Sequence, residues 1–139
     1  MAQRVTPHRR GTYGIDAPYG PALIAAVAAL NFAVAAINGK VLNLLAGLFV
    51  LAILGLYLHG TLRGKFVVWA ELLDRLNVRG DERILDMGCG RGAVLLMAAQ
   101  HLTTGRAVGV DLWRRVDQSG NSSEATQRNA VAEGDRGGG

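Results

Sequence analysis

The chain has 139 residues, a single cysteine and a formal net charge of +4. That length leaves room for about one domain, and a lone Cys89 excludes an internal disulfide or a CxxC metal pair and fits a reducing setting. The arginines are scattered rather than stacked into a patch, so no nucleic-acid partner is expected, and no metal ligand set is evident.

Charge is distributed unevenly along the chain. No charged residue lies between Asp16 and Lys40, and none between Lys40 and Arg63. The first half therefore reads as membrane-like and the second as soluble-like. Residues 1–18, with Arg4, Arg9 and Arg10, read as a flexible basic arm with an irregular lead-in. Pro18 and Pro21 suit the start of a helix.

Residues 19–60 read as a two-helix transmembrane hairpin. One apolar run extends from Ala22 to Ile37, broken only by Asn31, and a second from Val41 to Leu58, broken only by Asn43. Asn38-Gly39-Lys40 between them is a tight turn signal. As helices the runs span about 24 and 27 Å, against a hydrocarbon core of about 30 Å. Tyr19, Gly20 and Pro21 at one end, with Tyr57 and His59 at the other, supply interfacial ends. Neither run carries a polar stripe at a period of 3.6, and the residues after Gly60 are too few to bury both in a soluble core. A cleavable signal would begin earlier, without a second apolar run at once behind it.

The expected partner of this hairpin is a lipid bilayer. Arg4, Arg9 and Arg10 precede it and Arg63 and Lys65 follow it, with only Lys40 between, so both termini are expected in the cytoplasm. Ala25, Ala26, Ala29, Ala33 and Ala36 would let the two backbones approach. Asn31 and Asn43 either bond across the pair or are tolerated polar residues near an end or interface.

Residues 61–139 carry a different pattern. Trp69, Leu72, Leu73 and Leu76 form an amphipathic stripe that ends at Asn77-Val78-Arg79-Gly80-Asp81. A short strand is expected over Arg83 to Met87, apolar enough to be covered on both faces. Gly88, Gly90 and Gly92 then form a tight turn into a helix running to about Leu102, and Thr103-Thr104-Gly105 leads to a second strand ending at Asp111. Such a β-α-β unit crosses over right-handedly. It gathers Asp86, the glycines and Asp111 at the carboxyl edge of one sheet, where open α/β sheets bind ligands.

The residue types at that edge suggest an adenosine-type ligand with an anionic or zwitterionic end. The glycines admit a ligand against backbone, a helix start offers free N–H donors, and Asp111 is placed to accept from both hydroxyls of a ribose. Dinucleotide enzymes usually show G-x-G-x-x-G, whereas this chain has G-x-G-x-G with an acid two residues ahead. Asp86-Met87-Gly88-Cys89-Gly90-Arg91-Gly92 resembles the first motif of the class I S-adenosylmethionine-dependent methyltransferases, and Val108-Gly109-Val110-Asp111-Leu112 resembles the motif that follows it. The resemblance implies a Rossmann-like domain that binds S-adenosylmethionine. The turn Gly88, Cys89, Gly90 and Gly92 would line its methionine and ribose portions, Asp86 would place its amino group, Asp111 would hold the ribose, and Leu112 would border the adenine. Cys89 reads as a small filler rather than a nucleophile.

Beyond Asp111, Trp113, Arg114 and Arg115 either border the site or form solvated loop, with the loop slightly favoured. Asn121 and Glu124 resemble a capping box opening a helix to about Glu133. Asn121-Ser122-Ser123 also matches a glycosylation acceptor, irrelevant in a cytoplasmic domain. The resemblance covers about Trp69 to Glu133 and two strands of the family's seven. The fold class expected is thus α/β, a membrane hairpin followed by an incomplete methyltransferase domain, truncated or ending in a frame-shifted glycine-rich tail. Catalytic residues, methyl acceptor and oligomeric state are not assigned. Two functions follow: a membrane-anchored methyltransferase, or a non-catalytic membrane-anchored fragment with a partial cofactor-binding lobe. A nicotinamide oxidoreductase is disfavoured by the glycine spacing.

Overall fold

The structure is a computed structural model that describes residues 9–134. Arg4 and the glycine-rich end after Gly134 lie outside the described residues. Helices α1 (Tyr19–Asn38) and α2 (Val41–His59) form the expected hairpin, and both are long and apolar enough to cross a membrane. Gly39 takes the left-handed conformation (φ 67°) and its N–H donates to the Ala35 carbonyl at 2.9 Å, which closes α1 where Asn-Gly-Lys predicts. Leu23, Ile37, Leu42, Phe49 and Leu56 are each at least 67% exposed. The rest of the described chain does not bury the hairpin, as it would a core helix.

The hairpin packs on a different stripe from the one expected. Ala28 and Gly47 are buried in the contact, and Ala25, Ala26, Ala29, Ala33 and Ala36 face outward. Gly47 is the notch for the Phe32 ring, since a Cβ there would sit 2.8 Å from Phe32 Cε1. Small residues recur at helical spacing on both sides of α1, and the fit of one ring into one glycine chooses between them. Asn31 donates to Val27 O within its own helix at 2.9 Å, and Asn43 donates to Asn38 Oδ1 across the turn at 3.3 Å. Neither ties the middle of the hairpin.

A π-helical turn (Gly60–Gly64) carries α2 directly into α3 (Lys65–Leu76), making one helical run from Val41 to Leu76. Phe66 and Leu73 are the buried residues of α3, with Ala70 packed beside them, whereas Trp69, Leu72 and Leu76 stay exposed. The inward face is selected by Tyr13, whose ring meets Phe66 edge-on with centroids 5.2 Å apart. Strand β1 (Arg83–Met87), helix α4 (Ala93–Ala99) and strand β2 (Arg106–Val110) follow in the expected order. The strands pair in parallel, from Arg83 opposite Arg106 to Met87 opposite Val110. The described architecture is thus mainly helical with a small two-stranded parallel sheet, an α/β arrangement. Only one sheet face is covered, by α4. Leu85, Met87, Val108 and Val110 stand bare on the other, where covering on both faces was expected.

Helix α5 (Ser123–Glu133) is capped by Ser122, whose Oγ accepts from Ala125 N–H at 3.1 Å. Asn121, expected as the cap, is buried one residue earlier and serves the preceding loop.

Of the expected arm and irregular lead-in, residues 1–8 lie outside the described residues, and residues 9–18 form a strap bonded to the loop after β2. Ser119 N–H donates to Ile15 O at 3.0 Å, Ile15 N–H to Ser119 Oγ at 2.8 Å, and Ala17 N–H to Asp117 O at 2.8 Å. Tyr13 enters the core with Phe66, Leu73, Leu96, Met97 and Ala98. Glu133 Oε1 accepts from Arg10 N–H, Gly11 N–H and the Tyr13 hydroxyl at 3.0, 2.9 and 2.8 Å. Burial works to raise the Glu133 carboxyl, but these donors outweigh it and hold it below its usual range. The sign follows. Stabilisation by Glu133 is complete above the ordinary glutamate value of about 4.3 and is lost as pH falls through the lower folded value. Glu133→Ala is expected to lower stability by about 1–3 kcal/mol at neutral pH and to flatten the loss on acidification, measured by chemical unfolding of the detergent-solubilised chain across pH 3–7.

Candidate cofactor-binding site

The strand pairing continues beyond β1 and pins the glycine turn to the carboxyl edge of the sheet. Gly88 and Cys89 N–H both donate to Val110 O, at 2.6 and 3.3 Å. Gly90 N–H donates to Asp111 Oδ2 at 2.9 Å, Arg91 N–H to Gln118 Oε1 at 2.8 Å, and Gly92 N–H to Cys89 O at 2.8 Å. Every backbone amide from Gly88 to Gly92 thus has a protein acceptor. The turn's own donors are therefore consumed in holding its shape, and the free N–H donors expected at the helix start are not among them.

The three glycines have separate reasons to be glycine. All have positive φ, at 84°, 54° and 81° for Gly88, Gly90 and Gly92. A Cβ at Gly90 would meet Gln118 Oε1 at 2.6 Å, and one at Gly92 would meet Thr126 Cγ2 at 3.1 Å. Those two positions make room for the protein's own supports. At Gly88 nothing lies within 4 Å of the Cβ position, so this residue alone offers bare backbone to open space.

Beside Gly88 lie the two carboxylates that the β-α-β topology predicts. Asp86 Oδ2 is buried with no hydrogen-bond partner. Burial raises the Asp86 carboxyl, the Leu95 amide pulls it down, and the charge of Asp111 adds to the rise. An orphaned buried oxygen is costly and suits a cationic or N–H donor brought by a ligand. Asp111 Oδ2 accepts from Gly90, and its Oδ1 accepts from Trp113 N–H and from Asn121 Nδ2, the latter at 3.3 Å. A carboxylate has about four acceptor sites, so about one stays free for a ligand hydroxyl rather than the expected pair.

Cys89 is buried beneath the turn, facing Gly109. A Cβ at Gly109 would lie 2.7 Å from Cys89 Sγ and 2.6 Å from Leu95 Cδ2. The thiol is pushed up to about 11, first by burial and then by the charges of Asp86 and Asp111. The structure makes it a filler. Leu112 lies just past β2 and is 79% exposed. Trp113 has φ 49° and its indole N–H reaches Thr126 Oγ1 at 3.4 Å, so it braces the loop, while Arg114 and Arg115 are exposed.

The supports of the turn escaped sequence reasoning. Thr126 Oγ donates to Gly90 O at 2.6 Å, and Asn129 Nδ2 donates to Arg91 O and Thr12 O, both at 2.9 Å. Arg91 in turn donates to Ser119 O at 2.9 Å and Thr12 Oγ1 at 3.0 Å. One signal was present: Asn129 stands one helical turn after Ala125 on the buried side of α5. A concavity of about 430 Å³ opens at the hairpin junction among Arg9, Tyr13, Thr61 and Phe66 and includes none of the turn glycines. Among the described residues, no group of His, Cys, Asp and Glu is arranged to hold a metal ion.

Comparison with protein-family models, curated proteins and solved structures finds no match to this chain.

Two results follow from the geometry. Gly109→Ala forces Leu95 and Cys89 apart and is expected to cost about 1–3 kcal/mol by overpacking, read from the unfolding midpoint. Cys89, the chain's one thiol, is expected to react with iodoacetamide at pH 7.5 at least about tenfold more slowly in the folded chain than in denaturant, followed by mass spectrometry.

Proposed function

We propose that this chain is a membrane-anchored S-adenosylmethionine-dependent methyltransferase whose acceptor is unidentified. One observation carries the reading: a left-handed Gly88, open to space, beside an orphaned buried oxygen of Asp86 and the carboxylate of Asp111, all on the carboxyl edge of a parallel β-α-β unit. The order G-x-G-x-G behind an acid favours S-adenosylmethionine over a nicotinamide. The β-α-β unit belongs, in this reading, to a Rossmann-like methyltransferase domain. The bare apolar hairpin spans the bilayer, with both termini and the glycine turn on the cytoplasmic side, where the basic residues flank it.

S-adenosylmethionine, when bound, supplies a methyl on a sulfonium with a neutral thioether as its leaving group. The chain's own task is binding and orientation, which is where displacement at such a methyl gains most. Asp86 Oδ2 accepts from the amino group, a donor that satisfies an otherwise unpartnered oxygen. Gly88 lets the methionine and ribose portions lie on backbone. Asp111 offers its remaining acceptor site to a ribose hydroxyl, and Leu112 borders the base. The bare face made by Leu85, Met87, Val108 and Val110 favours a second reading, a cofactor-binding lobe without catalysis of its own.

The test uses the whole chain in detergent with radiolabelled S-adenosylmethionine and photo-crosslinking. Gly88→Ala is the cleaner variant, because its methyl meets no protein atom. It is expected to cost about 1 kcal/mol of stability and to cut labelling at least about tenfold, as Asp111→Ala also does. Preferential binding of NADH by the unaltered chain would sink the methyltransferase reading. Saturable labelling without methyl transfer to lipid extracts or small amines would favour the second reading.

A further inference from the structure

Asp16 sits where the hairpin end, the strap and the loop after β2 meet. Its Oδ2 accepts from Thr61 Oγ and Lys65 Nζ, both at 2.8 Å, and its Oδ1 accepts from Lys65 Nζ at 3.0 Å and Gln118 Nε2 at 2.8 Å. Asp16 N–H donates to Thr61 Oγ1 at 3.0 Å, and the Tyr57 hydroxyl donates to Asp16 O at 2.7 Å. Tyr57, Thr61 and Lys65 all belong to the last turns of α2 and the run into α3. Gln118 is buried and faces the other way with its carbonyl, which accepts from Arg91 N–H and fills the space left by Gly90.

The polarity of this relay is forced. A glutamine side chain has one donor end and one acceptor end. The Asp16 carboxylate can only accept, so it takes the NH₂ end and leaves the carbonyl for Arg91. We propose that Asp16 is a positioning residue for the cofactor turn: by orienting Gln118 it holds the Gly90–Arg91 backbone in its binding shape, and so ties the cofactor site to the membrane-side end of the hairpin. The inference rests on the reading of the turn as an S-adenosylmethionine site, but its mechanical part does not.

The experiment therefore has two readouts on the full chain in lipid nanodiscs. The first is amide hydrogen exchange over Gly88–Gly92 without ligand, and the second is binding of S-adenosylmethionine. Asp16→Ala is expected to speed exchange and weaken binding, each by about tenfold, the scale of one charge-assisted hydrogen bond. Gln118→Glu keeps an acceptor for Arg91 but sets a carboxylate against Asp16, and it should do the same. Combining Asp16→Asn with Gln118→Glu reverses donor and acceptor and should restore both readouts, which a merely structural role would not produce. Lys65→Met removes the ion pair, with the ammonium's contact to the Phe66 ring, but leaves the Asp16–Gln118 bond, and should leave exchange at Arg91 within about twofold. Unchanged exchange in the Asp16→Ala and Gln118→Glu chains overturns the proposal. So does failure of the reversed pair to rescue, or a Lys65→Met effect as large as that of Asp16→Ala. Faster exchange in a chain whose unaltered form binds no S-adenosylmethionine upholds the link through Gln118 and sinks the cofactor reading.

Discussion

The glycine turn keeps its shape because acceptors come to it from the segment after β2. Asp111 takes the Gly90 amide and Gln118 takes the Arg91 amide, while Val110 O takes those of Gly88 and Cys89. Left-handed backbone at consecutive alternate positions is tolerable for glycine but carries no preference of its own. The conformation is chosen by which amides find partners inside the protein. This constraint also assigns the glycines. Gly90 and Gly92 are bare so that Gln118 and Thr126 can approach, which leaves Gly88 as the position facing outward.

The same reliance on polar contacts runs through the rest of the domain. Its apolar core is small, a cluster around Tyr13, Phe66, Leu73, Leu96, Met97 and Ala98. A sheet of two strands with one bare face cannot supply much more. Around that cluster lie buried Thr61, Gln118 and Asn129, each hydrogen-bonded across the chain, and Asn121, whose amide bonds within its own loop. Such groups add little net stability each. A donor that has only one acceptor within reach does, however, discriminate sharply between the native arrangement and a shifted one. The strap is held in this manner, through Glu133 and Asn129 at one end and Asp16 at the other.

What was legible in the sequence divides along the same line. The hairpin, its Asn-Gly-Lys turn, both strands with their parallel pairing, and the gathering of Asp86, Gly88 and Asp111 at one edge all follow from local patterns: apolar period, turn residues, an acid closing each strand. The choice of packed face did not. In α1 either alanine stripe satisfies the spacing, and Phe32 against Gly47 decides. In α3 Leu73 belongs both to the expected stripe and to the buried face, and Tyr13 selects the face with Phe66. The contacts of the strap were not legible for a related reason. Glu133 and Asn129 meet residues more than a hundred positions earlier, and contacts at that separation leave no periodicity in either segment. Asn121 illustrates the limit at short range. Its spacing to Glu124 suits a cap, but Asp111 and Arg114 offer its amide better use, and the hydroxyl of Ser122 takes over the helix.

These contacts also explain how two differently built halves become one body. The hairpin lends the described core almost nothing, since Pro21, Ala28 and Gly47 are its buried residues and its large side chains stand bare. How the glycine turn lies relative to the hairpin end is fixed in part by Phe66, which packs with Tyr13, Leu96 and Met97 just past that end. The rest of that orientation falls to the continuous helix from Val41 to Leu76 and to the groups around its π-helical turn. The Lys65–Asp16 pair has side chains 18% and 45% exposed, so charge attraction alone is worth about 1 kcal/mol or less. Thr61, Tyr57 and Gln118 add direction to it, because each must bond a different atom of Asp16. A helix free to rotate about its axis would break the bonds of Tyr57, Thr61 and Lys65 to Asp16 together. The junction is thus specified by directed polar contacts beside the buried Phe66, and in the proposed relay the glycine turn takes its orientation from the apolar hairpin through Asp16 and Gln118.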